Sequence, residues 1–364
     1  MPASLNKSRG VDETGMPSPS LQTALRVDAW PRWFANPYLP RLLDALRDEG
    51  LEANAVRALA RSATRLRAGD WLHLHWPGET HTHHARWLYG ARAAIVRTQL
   101  HALKRRGVHI AWTAHNLVPH DDPQPDLGRK ARADMLAVVD HVFVHFESAR
   151  RDLADTFGYT GPSTLVPHPH FMSAYPPPTP RAAARARLGL PEDGFVALAF
   201  GRIRPYKGVG AIIQAFRRTA GPSDRLIVAG CCEGDVAGEL ALADDDPRIM
   251  VHAKTIPHDD VPLYFGAADV AVTAHRAFFT SSAAPLAISM GCPVVGPPIH
   301  HLADLAGGQR MFPIEDGPDG LAAGLAHARE AAPTIDHAAV RQWASTLGDW
   351  RDAAGSIAAV FRAA

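Results

Sequence analysis

The feature that most constrains this chain is an alternation of short apolar runs with longer helical patterns, repeated on either side of a proline-dense break. In the first half, TALRVDAW, WLHLHWP, HIAWTAHN, HVFVHFES and STLVPHP read as strands, separated by stretches such as PRLLDALRDEGL and RRDLADTFG. In the second half, FVALAFG, DRLIVAG, IMVHA, VAVTAH, CPVVGPP and RMFPI take the same part. Such alternation builds parallel sheets covered by helices on both faces, because a parallel crossover needs a connection of helix length. The expected class is α/β, with two doubly wound domains. The break itself, Pro167 to Pro180, carries six prolines and no periodicity, so it reads as a stiff connector.

These signals divide the chain as follows. Residues 1–22 combine Ser, Pro, Gly and mixed charge and are expected to be a disordered tail. Residues 23–170 form the first domain, 171–180 the linker and 181–345 the second domain. In the final stretch Trp343, Leu347, Trp350, Ile357, Val360 and Phe361 recur mostly at helical offsets. Residues 346–364 are therefore expected to form a helix. Ligands of doubly wound sheets bind beyond the carboxyl ends of the strands, so two such domains facing each other place the chemistry in a cleft between strand-end loops.

Charge excludes one class of partner: 38 Lys plus Arg against 37 Asp plus Glu leaves no basic excess for nucleic acid. Three cysteines, Cys231, Cys232 and Cys292, make no disulfide framework and point to a reducing compartment. The start of the chain lacks the apolar core of a secretory signal, and no run of about 18 apolar residues occurs, so the expected location is the cytoplasm. Residues 86–106 carry six basic residues and no acid, with Trp87, Ile95, Leu100 and Leu103 available for an apolar face. That pattern allows peripheral contact with the inner face of a membrane.

Candidate chemistry lies at the strand ends. In AFGRIRPYKGVG, Gly201 ends an apolar run and Lys207 and Gly208 open a helix. Glycine lets the backbone approach a phosphate, and Arg202 and Lys207 add full charges. After VAVTAH, the hydroxyls of Thr280, Ser281 and Ser282 stand where a further helix begins. In the first half, the strand ends offer His75, Trp76 and Glu79, then His115, Asn116, His120, Asp121 and Asp122, the residue types of general bases and of polar ligand contacts. His81, His83 and His84 lack metal-site spacing, and no metal is expected. G-x-S-x-G, Walker A and G-x-G-x-x-G patterns are absent, which argues against serine hydrolases, P-loop enzymes and dehydrogenases.

At these residues the chain resembles bacterial glycosyltransferases of the GT-B fold, and within them the exopolysaccharide-type sugar transferases that include β-mannosyltransferases. The matching pieces are NPYLPRLLDAL (36–46), HLHWP (73–77), WTAHNLVPH (112–120), GRIRPYKGV (201–209) and TSSAAPLAISMGCPVVGPP (280–298), in order over most of the chain. The resemblance implies two Rossmann-like domains, a nucleotide-sugar donor held mainly by the second and an acceptor held mainly by the first. It also implies a last helix that crosses back to the first domain. Gly201, Arg202, Lys207, Thr280, Ser281 and Ser282 are expected to bind the donor, and His75, Trp76 and Asn116 to lie on the acceptor side. The base candidates are His115, Glu79 and Asp121, in that order.

One departure stands out. Many retaining relatives carry two glutamates in an E-x7-E pattern where this chain has Phe278 and Leu286, which favours inversion and removes the usual carboxylate for the ribose. The expected function is transfer of a hexose from GDP-mannose or a UDP-sugar to a saccharide, lipid-linked saccharide or natural-product hydroxyl, inverting and without a metal or other cofactor. The alternatives are a retaining transferase, a nucleotide-sugar epimerase or hydrolase, and a non-catalytic binding protein.

Overall fold

A computed structural model describes residues 24–32, 37–119, 122–274 and 279–364. The expected disordered tail therefore lies outside the described residues. Within the described ones, twelve strands form two all-parallel six-stranded sheets. The first holds β1 (Arg26–Trp30), β2 (Glu52–Ala55), β3 (Trp71–Leu74), β4 (His109–Thr113), β5 (His141–Val144) and β6 (Ser163–Leu165), ordered β2-β1-β3-β4-β5-β6. The second holds β7 (Val196–Phe200), β8 (Arg225–Ala229), β9 (Ile249–His252), β10 (Val270–Val272), β11 (Val294–Gly296) and β12 (Met311–Pro313), ordered β12-β11-β10-β7-β8-β9. The fold is α/β with two Rossmann-like domains, as expected.

The eleven expected runs supply eleven strands; β2, sequence EANA, has no apolar run to announce it. It forms by parallel pairing with β1, Arg26 opposite Glu52 through Ala29 opposite Ala55. Strand order reverses between β1 and β3 and again between β7 and β10. At such switch points neighbouring connections leave in opposite directions and open a crevice beyond the strand ends.

The helix Trp350–Ala363 begins with a capping box: the Asp349 carboxylate accepts from the N–H groups of Arg351 and Asp352, and Asp352 accepts in return from Asp349 N–H. Its buried side chains, Trp350, Ala353, Ala354, Ile357, Ala358 and Phe361, form one stripe at helical spacing. That stripe packs on the helix Tyr38–Asp48 of the first half. At its end Trp71 of β3 donates Nε1–H to the Phe361 carbonyl at 3.0 Å, and the two rings stack at 4.6 Å.

The basic stretch forms the helix Arg86–Arg105, but the apolar face read from its sequence is two faces. At about 100° per residue, the Trp87–Ile95 pair and the Leu100–Leu103 pair lie roughly 150° apart around the axis. Leu100 and Leu103 are buried in the core, whereas Trp87 is 76% and Ile95 57% exposed.

Candidate active site

On the second sheet, β7 and β8 run side by side and are followed by Gly201 and Gly230. Gly201 has φ +105°, a conformation that side chains disfavour. A Cβ on Gly230 would sit 1.8 Å from the Gly201 carbonyl oxygen, so only glycine fits this approach. After Gly201 the chain passes Arg202 and Arg204 and makes a single 3₁₀ turn, Pro205–Lys207. Gly208, in the left-handed region, then caps the helix Val209–Thr219.

The charges gathered here are unequal in sign. Arg202 Nη1 lies 3.3 Å from both oxygens of Glu233, and Arg204 donates Nε–H to the same carboxylate at 2.6 Å. Burial works to raise the Glu233 carboxyl, but the Arg204 hydrogen bond and the two guanidinium charges outweigh it and hold the group below the usual carboxylate range. Lys207 has no such partner among the described residues. Burial, then the charges of Arg202 and Arg204, push its ammonium down to about 8. An ammonium desolvated beside two guanidiniums gains from a neighbouring negative charge.

The facing wall belongs to the first sheet. Trp76 follows β3 and stacks on His115, which follows β4, at 4.2 Å with 15° between the planes. His75 stands behind them, fully buried, with its Nδ1 3.1 Å from His115 Nε2. The Asn116 amide oxygen accepts from Arg132 Nη2 at 3.3 Å; that arginine is buried over the face of Trp112 and pulled down to about 9 by burial. Glu79 sits on the 3₁₀ turn Pro77–Thr80 and is exposed. Burial weighs against the Arg204 charge, but Glu233 outweighs it, and the charges of Tyr206 and Glu79 add to that support. Glu79 thus acts electrostatically across the space between the domains.

Both walls enclose one cavity of about 630 Å3. It is lined by Trp76, Glu79, His115, Asn116, Gly201, Arg202, Lys207, Thr280, Ser281 and Ser282, which brings together all but two of the residues expected from the sequence. Of those two, His75 lies behind the wall, and Asp121 lies outside the described residues, as does Phe278. Leu286, the other position of the E-x7-E pattern, lines the cavity as an apolar side chain. The helix beside the hydroxyl residues is short, Ala283–Ser289, and Ser282 makes no side-chain cap to it. The hydroxyls turn elsewhere: Thr280 donates to the His115 carbonyl at 2.7 Å, and Ser282 lies 3.4 Å from His168 Nε2. Thr280 therefore ties the two walls together at the site.

Sequence reasoning passed over Arg204 and Glu233. Arg204 stands two residues beyond Arg202 in the same segment and had a signal in that spacing. Glu233 had none, because only the pairing of β7 with β8 brings it to the arginines.

Residues 194–330 match the family described as glycosyl transferases group 1. Over 290 residues the chain is 26% identical to a D-inositol 3-phosphate glycosyltransferase of Acidothermus cellulolyticus, covering 73% of this chain and 60% of that protein. It is 27% identical over 270 residues to a GDP-mannose:glycolipid 4-beta-D-mannosyltransferase of Xanthomonas campestris, covering 73% of this chain and 71% of that protein. Among solved structures, sucrose-phosphate synthase from Thermosynechococcus elongatus aligns with a TM-score of 0.73 at 17% identity, over 93% of this chain and 98% of that one. Anabaena Alr3699/HepE in complex with UDP-glucose aligns with a TM-score of 0.69 at 13% identity, over 93% of this chain and 99% of that one. With these neighbours, the two facing Rossmann-like domains are a GT-B fold.

Proposed function

We propose that this chain is a glycosyltransferase that moves a hexose from a nucleoside-diphosphate sugar to a hydroxyl of a saccharide or lipid-linked saccharide. The observation that carries the reading is Lys207: a half-buried ammonium, with no partner among the described residues, beside Arg202 and the Gly201 backbone, at a topological switch point. A diphosphate supplies the charge this corner lacks. The Xanthomonas relative, named for a GDP-mannose donor and a glycolipid acceptor, supports a donor and acceptor of those kinds.

The chemistry proposed is a single displacement with inversion. The acceptor oxygen bonds to the anomeric carbon as the bond from that carbon to the diphosphate oxygen breaks, and the acceptor proton passes to a base. His115 is poorly suited to be that base. Taking a proton would make it a cation in a buried site, where burial, with the neighbouring histidines His145, His75 and His168, already holds its pKa well below the ordinary range. Glu79 loses a charge on protonation and is open to solvent, so we assign it the proton. Charge growing on the leaving diphosphate falls to Lys207, Arg202 and the hydroxyls of Thr280, Ser281 and Ser282.

A cytoplasmic location suits the three free cysteines, and no described helix is long and apolar enough to cross a membrane. Contact with a membrane would use Trp87 and Ile95 on the basic helix, which flotation with anionic vesicles tests. For the function itself, the purified protein is incubated with GDP-mannose or UDP-glucose and a panel of saccharide and glycolipid acceptors. Transfer that Lys207→Ala abolishes in a folded protein supports the assignment. Turnover of the sugar nucleotide that needs no acceptor would replace it with an epimerase or hydrolase, and binding with no turnover would leave a binding protein.

A further inference from the structure

At and behind the cleft wall five histidines form a chain, and four of them, His75, His115, His145 and His168, pack against Tyr38. His73 and His75 belong to β3 and its end, His115 follows β4, His145 follows β5 and His168 lies beyond β6. Ring centroids are 4.2 Å apart for His73 and His75, 5.4 Å for His75 and His115, 5.3 Å for His115 and His145, and 5.1 Å for His145 and His168. Tyr38 stands edge-on to His115 at 4.8 Å. Burial, the largest influence on each, lowers His73 to about 3 and His145 to about 4, and takes His75 and His115 well below the ordinary value. All four are neutral near pH 7.

A neutral imidazole has one N–H and one bare nitrogen, so its partners decide which is which. His145 Nδ1 is 2.8 Å from the Val166 carbonyl, which can only accept; Nδ1 therefore carries the proton, and Nε2 accepts from the Tyr38 hydroxyl at 3.2 Å. For His75 the choice runs through His115. His75 Nδ1 faces His115 Nε2 at 3.1 Å, and His75 Nε2 is sealed from solvent with no partner among the described residues. If His115 donates, His75 must carry its proton on Nε2, leaving a buried N–H without an acceptor. If His75 donates, the sealed atom is a bare nitrogen. Orphaned buried N–H groups are the rarer and costlier of the two.

We propose that His75 donates to His115 Nε2 and thereby fixes the His115 proton on Nδ1, so that His115 offers the cleft a hydrogen-bond donor. His115 then gives a hydrogen bond to an oxygen of the bound sugar and takes no proton from it. His75, which does not line the cleft, is a positioning residue acting through His115. The assignment of Nδ1–H stands on the histidine geometry alone; only the identity of the oxygen it meets rests on the proposed function.

The test has a spectroscopic and a kinetic arm. In 15N-histidine NMR of the full chain, the His115 signals are those lost in His115→Gln. The expected result is a protonated Nδ1 and a bare Nε2; the reverse pattern overturns the proposal whether or not any transfer is detected. In the kinetic arm, His75→Leu removes the donor and is expected to lower kcat by about five- to tenfold, the worth of one hydrogen bond. His75→Asn, whose amide keeps an N–H near the position of Nδ1, is expected to restore most of that loss. Equal losses in the two variants would make His75 a packing residue and overturn the proposal. Failure to find any transfer substrate counts against the proposed function, while the NMR result still decides the tautomer.

Discussion

Replacing Lys207 with methionine should stabilise the empty protein and abolish its response to nucleotide. The free ammonium is displaced from 10.5 to about 8, chiefly by burial. That displacement is worth at most about 3 kcal/mol against the folded state. The sign follows from proton linkage. Below pH 8 the lysine is charged in both folded and unfolded protein, and the folded state bears the whole penalty. Between pH 8 and 10.5 the folded state sheds its proton first, so the wild-type protein recovers that stability as pH rises. Lys207→Met should therefore melt at a higher temperature than wild type at pH 7, and the advantage should fade toward pH 10.5. Nucleotide reverses the order. At about 100 times its dissociation constant a ligand adds roughly 2.7 kcal/mol to the native state, and this gain should appear in wild type alone. The assay is thermal unfolding at pH 7, 9 and 10.5, with and without GDP, UDP and their sugar conjugates. A methionine variant that is no more stable without nucleotide, or that still responds to nucleotide as wild type does, would refute the reasoning that Lys207 binds the diphosphate.

Glu79→Gln should lower turnover by about 10² to 10⁴ while leaving the melting temperature unchanged, because the side chain is exposed; steady-state kinetics at saturating donor reads this. Gly230→Ala places a methyl 1.8 Å from the Gly201 carbonyl, so it should displace the Gly201–Arg202 backbone and remove nucleotide binding in calorimetry. Asp269→Asn should cost about 3 to 5 kcal/mol in urea unfolding, since it leaves Arg185 as an uncompensated buried charge. Asp269 is fully buried and accepts from Arg185 Nη2 at 2.9 Å and from Val196 N–H at 2.7 Å.

What could be read from the sequence was what periodicity and strand ends encode. The buried strands, such as VALAF and the LIVA of β8, are continuous apolar runs because both faces of a parallel sheet are covered, and they placed the site loops with them. Edge strand β2 escaped because its stability comes from pairing with β1 and not from its own side chains. The basic helix was misread in its packing: a list of apolar residues does not say which share a face, and angular position separates Trp87 from Leu100. At the site, charge and strand-end position pointed to Arg202, Lys207 and His115. The Glu233 contact and the histidine cluster depend on which strands lie side by side. Strand order is a tertiary fact that no local window carries.

The helix Trp350–Ala363 also sets the order in which this chain can mature during synthesis. The first sheet closes its core with Phe361, stacked on Trp71 of β3. While the ribosome still holds those last turns, β3 and the helix Tyr38–Asp48 have been made but stand uncovered, through the whole time it takes to translate the second domain. The second domain can form its own sheet first, and the first domain, although made before the second, is sealed after it.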